Sequence, residues 1–376
     1  MKLATFRYMN GAWSRPFPDL DSERTMVLAF AAPSFGTRHD LMIELAAAYP
    51  RSAMIGCSTA GEIDQTRIRD ESITVAVVRF ERTRVRQAEA RMVSAEDSYG
   101  AGARIAAELL SPELRGVLVL SPGTNVNGRE LVKGLNGRLP EHVVVTGGLA
   151  GDGDRFGQTW VVAGGRIAPD AVVAVGLYGD HVCVGHGSRG GWDTFGVERV
   201  VTSAQGNVVY ELDDRPALAL YKEYLGDHAA ELPGSSLLFP LSLRATQEDA
   251  YGVVRTVVGV DEAAQSLRCA AEVPRGSYAK LMRANLDRLV LGAQEAGAAA
   301  AGRFEGPVLC VAISCINRRL VLGERSEEET EATLTALPVG TAQVGFYSYG
   351  EISPHASGKC ALHNQTMTVT VLGELS

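Results

Sequence analysis

Three short segments combine glycines, hydroxyl side chains and an acid at spacings that suit ligand binding. The first is Gly56-Cys57-Ser58-Thr59-Ala60-Gly61-Glu62, which follows an apolar run. Successive backbone N–H groups in such a loop can cradle an anion. Its spacing, G-x-S-x-x-G, matches neither the G-K-[ST] phosphate loop nor the G-x-S-x-G nucleophile turn. We therefore interpret it as a binding loop, the alternative being a tight turn with a hydrogen-bonded serine.

Each of the three loops ends a similar pattern of two apolar runs separated by a helix-like stretch. The patterns, called unit 1, unit 2 and unit 3, occupy residues 26–63, 117–154 and 308–352. Fully apolar short runs bounded by turn residues predict buried strands. A serine follows each first strand and a proline each helix: Ser34, Ser121 and Ser314, with Pro50, Pro140 and Pro338. The helix lengths differ, so we predict a structural repeat, the alternative being the chance similarity of α/β segments.

The predicted strands and helices that position these loops alternate along the chain, which indicates an α/β protein. We expect two interlocked domains with mixed sheets, built from three related strand-loop-helix-strand units. The loops ending in Glu62, Asp152 and Glu351 should lie at the same ends of their sheets, where open α/β sheets bind ligands. We also predict a boundary near residues 200–230 and a long alanine-rich helix from Ser277 to Gly302.

Composition limits the class of protein. The net charge is −8, and the sequence shows no basic cluster, which argues against nucleic acid as a partner. The N-terminus lacks an apolar signal region, and the longest apolar runs are too short to span a bilayer. The six cysteines form no C-x₂-C pair, so we expect reduced thiols and a cytoplasmic protein without membrane insertion.

Catalysis and metal binding find weaker support. A nucleophilic Cys57 would need a base and an orienting group. No local pattern supplies them, so we expect a binding protein and not an enzyme. A thiol-dependent enzyme using Cys57 or Cys315 is the alternative from another class. His181, Cys183 and His186 are closely spaced, but on a strand the first two share a face and His186 lies on the other, which argues against structural zinc.

Taken together, several segments resemble the FIST family, with its N-terminal and C-terminal domains. They are IGCSTAGEI (55–63), TGGLAGDG (146–153), GWDTFG (191–196), VTSAQGNVVYELDDRPALALY (201–221), ISCINRR (313–319), GFYSYGEISP (345–354) and LHNQTMTVTVL (362–372). The resemblance covers residues 25–372 and implies domains at 25–215 and 216–372. It implies a sensory domain of signal transduction that binds a small ligand, with amino acids proposed. Since no output module is recognisable, a separate partner such as a histidine kinase would carry the signal, as in bacterial stand-alone forms.

From these loops we predict a pocket for a small polar ligand such as an amino acid. Glu62 and Glu351 could bind an ammonium group, and loop N–H groups or Arg318 a carboxylate. The predicted lining residues are Ser58, Thr59, Glu62, Asp152, Arg318, Tyr349, Glu351 and Asn364.

The resemblance also implies haem binding and nitric oxide sensing as an alternative function. His186 is then the expected iron ligand, with Arg189 at a propionate and Trp192 on the haem face. Gly187, Gly190 and Gly191 would let backbone approach the macrocycle. If His186 is not the iron ligand, the fallback ligands are His181 and Cys183. Nitric oxide binding would break the iron–histidine bond and release this glycine-rich segment.

Overall fold

The computed structural model describes residues 1–249, 252–302, 304, 308–355 and 358–375. The first part of the chain contains unit 1 and the strands beside it. Its elements are β1 (Lys2–Met9), β2 (Ala12–Trp13), β3 (Thr25–Ala31), a 3₁₀ helix (Pro33–Thr37), α1 (His39–Ala48), β4 (Ala53–Ser58), β5 (Glu62–Asp64), β6 (Arg67–Arg69), β7 (Ile73–Arg79) and β8 (Arg84–Arg91). Strand β3, TMVLAFA, is buried along its whole length, as the apolar run after Thr25 predicts.

The next part contains unit 2. Its elements are a 3₁₀ helix (Ala95–Asp97), α2 (Ser98–Leu109), β9 (Leu114–Ser121), α3 (Gly128–Asn136), β10 (Val144–Leu149), β11 (Val161–Ala163), β12 (Arg166–Ala168), β13 (Ala171–Tyr178) and β14 (Val182–Arg189). Helix α3 begins where Asn127 accepts a hydrogen bond from the Glu130 N–H, 3.1 Å away. This cap satisfies one of the free donors of the first turn.

An antiparallel body follows, formed by residues 193–283. Its elements are β15 (Asp193–Gln205), β16 (Val208–Leu212), β17 (Arg215–Pro216), α4 (Ala217–Leu225), two 3₁₀ helices (Gly226–Glu231 and Gly234–Leu238), β18 (Leu241–Arg244), β19 (Val253–Arg255), β20 (Val257–Asp261), β21 (Ser266–Cys269) and β22 (Tyr278–Arg283). The strand order is β19-β18-β22-β15-β16-β21-β20. Since β15 and β16 pair with later strands, the predicted division at residues 215 and 216 falls inside this body.

The last part contains unit 3. Its elements are α5 (Leu286–Ala300), β23 (Leu309–Cys315), α6 (Ile316–Leu322), a 3₁₀ helix (Gly323–Arg325), α7 (Ser326–Thr335), β24 (Ala342–Ser348), β25 (Gly350–Pro354), β26 (Cys360–His363) and β27 (Met367–Glu374). None of the helices formed by the described residues is long and apolar enough to cross a membrane.

The three units build sheets of the same design. Their strand orders are β12-β11-β4-β3-β7-β1-β2 for unit 1, β26-β25-β10-β9-β13-β8 for unit 2 and β6-β5-β24-β23-β27-β14 for unit 3. In each sheet the two strands of the unit are parallel, and an antiparallel strand flanks the first. The prediction of an α/β fold with mixed sheets and three related units is confirmed.

Each sheet is completed by a hairpin that comes from another unit. The hairpin β5–β6 leaves unit 1 and pairs with β24, while β25–β26 leaves unit 3 and pairs with β10. The hairpin β11–β12 leaves unit 2 and pairs with β4. This exchange, together with the pairing of β14 with β27, interlocks the two halves of the chain as predicted.

One glycine in each second strand marks the repeat at atomic level. Gly56 lies opposite Ala29, and a Cβ there would approach the Ala29 carbonyl oxygen to 2.0 Å. The equivalent distances from Gly147 to Val119 and from Gly345 to Ala312 are both 1.8 Å. No side chain fits at such distances, so the same glycine is required three times.

The three glycine-rich loops meet in a cycle of backbone hydrogen bonds, which we call the loop ring. In each bond the donor lies four residues after the repeated glycine and the acceptor two residues after it. The bonds are Ala60 N to Tyr347 O (2.8 Å), Gly151 N to Ser58 O (3.0 Å) and Tyr349 N to Leu149 O (3.2 Å). The loops therefore do lie together, but these N–H groups bind one another's carbonyl groups rather than an anion.

Two local predictions were wrong. The helix predicted from Ser277 begins only at Leu286, because Tyr278–Arg283 forms a strand that pairs with β15 and β18. Asn285 then caps the helix by accepting from the Arg288 N–H. Ser34 is not equivalent to Ser121 and Ser314, because Ala31 occupies that place at the end of β3.

Candidate ligand-binding site

Glu62 and Glu351 are buried and held by the protein's own donors in nearly the same way. Glu62 accepts from the Thr59 hydroxyl and from the Ser72 N–H and hydroxyl, the last two at 3.0 and 2.7 Å. Glu351 accepts from the Ser348 hydroxyl at 2.7 Å and from the Thr366 N–H and hydroxyl at 3.2 and 2.9 Å. In both, a hydroxyl three residues earlier binds one carboxyl oxygen.

Burial governs the charge of these two carboxyl groups. Removal from water raises the pKa of Glu62 to about 8 and that of Glu351 to about 7, against the hydrogen bonds that favour ionisation. Glu62 is therefore mostly protonated at neutral pH, and Glu351 is partly protonated there. A neutral carboxyl group that is already saturated stabilises its loop, and an ammonium ligand gains little from it.

Asp152, the third acid, orients an aromatic side chain. Its Oδ1 accepts from the Tyr349 hydroxyl, and its Oδ2 accepts from the Gly157 and Gln158 N–H groups, both at 2.9 Å. Tyr349 stacks on Phe156, with ring centroids 4.5 Å apart and planes inclined by 18°. The acid thus positions a flat aromatic surface.

Arg318 is completely buried and saturated. Its Nε and one terminal nitrogen lie 2.9 and 2.8 Å from Glu329 Oε2. Its other bonds go to the carbonyl groups of Leu289 (2.9 Å), Gly190 and Gln365 (3.4 Å). Such an arginine joins elements of the fold and has no donor left for a ligand carboxylate.

The remaining predicted residues are also internal. The Ser58 hydroxyl accepts from the Trp160 N–H at 3.1 Å, and Thr59 serves Glu62. Asn364 is buried, and its Oδ1 has no hydrogen-bond partner among the described residues. Its neighbour Gln365 has a positive φ of 63° and an amide group likewise without such partners. This turn is strained and polar, as turns near ligands often are.

A cleft of about 570 Å³ includes the predicted residue Tyr349 in its lining. We call it the central cleft. It lies between the antiparallel body and the carboxyl ends of the strands in units 2 and 3. Its lining includes Gly123, Phe156, Tyr349, Asn317, Leu320, Asn207, Ser236, Leu237, Val258, Arg268 and Cys269. The expected location at the strand ends is thus occupied by an opening of ligand size.

The central cleft joins exposed apolar side chains to a single kind of charge. Phe156, Val258 and Leu320 are among the exposed large apolar residues of the protein. Arg268 is exposed at the same cleft and forms no ion pair with any described residue. Among the described lining residues none is acidic. Asn317 holds one wall by donating to Thr256 Oγ1 at 3.2 Å.

Sequence reasoning missed Phe156, Leu320 and Arg268. Phe156 did carry a signal, because an aromatic residue stands alone in the polar loop GDGDRFGQ and adopts a positive φ of 50°. Arg268 carried none, since an arginine on an antiparallel strand is ordinarily a solvated residue.

The two candidate nucleophiles are inaccessible. Cys57 and Cys315 are buried, and burial raises the pKa of both thiols well above the ordinary value. A thiol that resists ionisation is a poor nucleophile. The geometry therefore gives no support to the thiol-enzyme alternative.

His186 and Arg189 line a second opening, a cleft of about 390 Å³, together with His355 and His363. Burial lowers the pKa of His186, and it lowers that of His363 to about 4. Both imidazoles are therefore neutral, the form that binds iron. Among the described residues, no three His, Cys, Asp or Glu side chains are arranged to hold a metal ion. The lining thus brings together a histidine that could hold an iron atom and an arginine that could pair with a propionate.

The structure places the other residues of the haem prediction in internal contacts. Trp192 is buried, donates to the Gln365 carbonyl at 2.8 Å and is not part of the lining of the His186 cleft. A Cβ at Gly187 would lie 2.1 Å from Ala296 O, and one at Gly191 2.0 Å from Arg288 O. These two glycines admit the close approach of helix α5, and Gly187 also lies in the lining of the His186 cleft.

The fallback ligands lie away from this cleft. Cys183 is on β14 one residue out of phase with His186, as the alternation of a strand requires. His181 contacts Arg82, whose terminal nitrogen is 3.3 Å from its Nδ1. Neither fallback ligand is part of the lining of the His186 cleft.

Comparison with protein families gives two matches. A family model described as the FIST N domain matches residues 25–215, and one described as the FIST C domain matches residues 217–354. No curated protein matches the chain.

Proposed function

The chain belongs to the FIST family, whose domains are sensory domains of signal transduction, and on this premise we propose a ligand for the central cleft. The ligand is a small anionic molecule with an apolar body, such as an aromatic or aliphatic carboxylate. Binding is the function, without turnover. The signal passes to a separate signalling protein such as a histidine kinase.

The observation that carries this proposal is that Arg268 and the Phe156–Tyr349 stack line the same cleft. A cleft that offers both an exposed guanidinium and an aromatic surface suits a carboxylate with an apolar body that covers the ring. The cleft volume of about 570 Å³ is ample for such a molecule. An amino acid fits less well, because its ammonium group would meet no acidic side chain among the described lining residues.

Ligand binding at this place can change the arrangement of the protein. The cleft is walled by the antiparallel body on one side and by Tyr349, Asn317 and Leu320 of unit 3 on the other. A molecule that contacts both walls stabilises the conformation in which the two walls are close enough for both contacts. The resulting increase in the population of that conformation is the signal that a partner protein recognises.

Replacing Arg268 with glutamine should weaken binding of 3-phenylpropanoate by about tenfold or more, because a charge-assisted hydrogen bond contributes about 1.5–3 kcal/mol. Calorimetric titration would measure this, with L-phenylalanine and phenethylamine as comparison ligands. The carboxylate should bind most tightly and the amine least. Recovery of unchanged ligand would show binding without turnover.

Arg275 offers a matched control, because it is exposed and lies outside the lining of the cleft. Arg275→Gln should leave the affinity within a factor of about two. Equal binding of the amine, or an Arg268→Gln variant with unchanged affinity, would contradict the proposal.

Haem is a second candidate, favoured by the neutral imidazole of His186 at an open cleft. His186 would hold the iron and Arg189 a propionate, and the haem would supply a site for a diatomic gas. The protein purified from haem-supplemented cells should then show a Soret band that shifts with nitric oxide. In His186→Ala this band should be lost, whereas His181→Ala should keep it. A band that is unchanged in His186→Ala would exclude His186 as the iron ligand, and no band at all would leave the central cleft as the sensory site.

A further inference from the structure

A basic cavity lies at the end of the unit 1 sheet, far along the chain from every predicted site residue of units 2 and 3. Its volume is about 440 Å³, and we call it the basic cavity. The cationic side chains in its lining are Lys2, Arg24, Arg51 and Arg79. They come from four separate segments, so the sequence, whose net charge is −8, shows no basic cluster.

Two of these cations face each other across neighbouring strands. Lys2 of β1 is directly opposite Arg79 of β7 in the antiparallel register. Residues directly opposite in such a pair lie on the same face, and like charges there destabilise the sheet. With neither side chain in an ion pair with a described residue, an anion between them would remove this repulsion.

The acids in the lining do not neutralise the cavity. Glu81 is bound by the N-terminal amine at 2.8 Å. Glu23 is 3.8 Å from Arg51 in a pair that is largely exposed and therefore weak. Arg24 donates to the Glu81 backbone carbonyl, which leaves its charge uncompensated. The balance of the cavity remains positive.

The walls of the cavity are fixed before any ligand arrives. Phe80 is buried, and its N–H donates to the Arg24 carbonyl at 3.0 Å. Asp21 holds the neighbouring turn by accepting from the Arg51 N–H at 3.0 Å and the Ser52 hydroxyl at 2.7 Å. The Ser22 hydroxyl, 2.9 Å from that of Thr25, also lies in the lining. The backbone that carries the cations therefore needs no reordering when a ligand binds, and only the cationic side chains have to be ordered.

The geometry points to a binding site for a small soluble molecule that carries a diphosphate or a similar cluster of phosphate charges. Arginine matches phosphate oxygens with paired N–H donors, and lysine adds a point charge. The volume exceeds that of one phosphate group and suits a molecule of nucleotide size. The site lies outside the central cleft, so this ligand is additional to the sensory ligand proposed above.

The test is calorimetric titration of the full chain with inorganic pyrophosphate at low ionic strength. The wild type should bind, and Lys2→Gln/Arg79→Gln should bind at least tenfold more weakly. The control Arg138→Gln/Arg275→Gln removes the same charge from two exposed arginines outside the cavity and should stay within twofold. Pyrophosphate should raise the melting temperature of the wild type and of the control but not of the cavity variant. The melting temperature without ligand shows that each variant is folded.

Two further titrations identify the source of the phosphate. Binding of adenosine diphosphate without binding of phosphatidic acid vesicles supports a soluble ligand. Binding of the vesicles alone overturns the proposal in favour of a lipid surface. No binding of pyrophosphate by the wild type, or equal loss in the cavity and control variants, also overturns it, because general surface charge would then explain the result.

Discussion

Replacing Arg318 with methionine should lower the free energy of unfolding by about 3–5 kcal/mol, because Glu329 would be left buried without its counter-charge. Both side chains of this pair are completely buried. The Glu329 carboxylate would keep the Ser314 and Tyr347 hydroxyl groups, at 2.9 and 2.7 Å, but these are neutral donors. The carbonyl groups that Arg318 serves would also lose a donor. The midpoint of urea unfolding and the melting temperature measure the loss.

Arg325→Met is the matched control for this change. Arg325 pairs with Glu328 and Asp287 at 2.8 Å, but these pairs lie at the surface. Exposed ion pairs contribute about 0–1 kcal/mol, so the control should be close to the wild type. The double variant Arg318→Met/Glu329→Leu should recover part of the loss, since it removes the unpaired charge. Equal effects of Arg318→Met and Arg325→Met would contradict a central role for the buried pair.

The second large effect concerns Glu62 and pH. Below pH 4.5 the carboxyl group is protonated in both the folded and the unfolded chain. As pH rises, the unfolded chain releases the proton first, because the folded pKa is raised to about 8. The stability that this group contributes is therefore greatest below pH 4.5 and is lost as pH rises through 8. The loss is about 4–5 kcal/mol, from about 1.36 kcal/mol per unit of pKa.

Glu62→Gln should therefore gain in melting temperature relative to the wild type as pH rises from about 5 to about 8.5. The amide is neutral at every pH and can still accept from Thr59 and Ser72. Thermal melting of both proteins across this pH range gives the difference in their melting temperatures. The contributions of other titrating groups, such as His363, are the same in both proteins and cancel in this difference. The same change at Glu351 should act over a lower range, because its folded pKa is about 7.

Glu108 is exposed and provides the control. Glu108→Gln should differ from the wild type by an amount that does not vary with pH. If the difference in melting temperature between Glu62→Gln and the wild type also does not vary with pH, Glu62 ionises normally in the folded protein. The stabilising role of the neutral carboxyl group would then be refuted.

The sequence predicts the units better than their assembly. Uniformly apolar strands such as β3 and the repeated glycine-rich endings are local signals, and the structure confirms the elements they indicate. The exchange of hairpins has no local signal, because nothing in the β5 sequence, Glu62–Asp64, indicates that its partner is β24. Strand partners are set by the whole fold, and a short local sequence pattern carries no information about them.

The site predictions were limited in the same way, because local sequence does not show which residues meet in space. Glycines, hydroxyl side chains and an acid beside a strand end predict a loop whose backbone N–H groups bind a ligand. In the structure, N–H groups of these loops instead donate to carbonyl groups of the loop ring. Arg318 illustrates the difficulty most clearly, because an arginine after a buried strand suggests a carboxylate ligand until its partner Glu329 is seen. Arg268 lies on a different segment from the aromatic residues of the central cleft, and the four cations of the basic cavity come from four segments. Their charge is visible only once those segments are brought together in space.

The exchanged hairpins also decide when the chain can fold during its synthesis. Hairpin β5–β6 leaves the ribosome long before its partner β24, Ala342–Ser348, has been made. Strand β14 similarly awaits β27, which ends at Glu374. The early sheets therefore keep open edges through most of translation, when unpaired strands can bind other chains. Such a protein depends on the completion of the whole chain, and a fragment ending near residue 215 would expose the edges that the last unit normally covers.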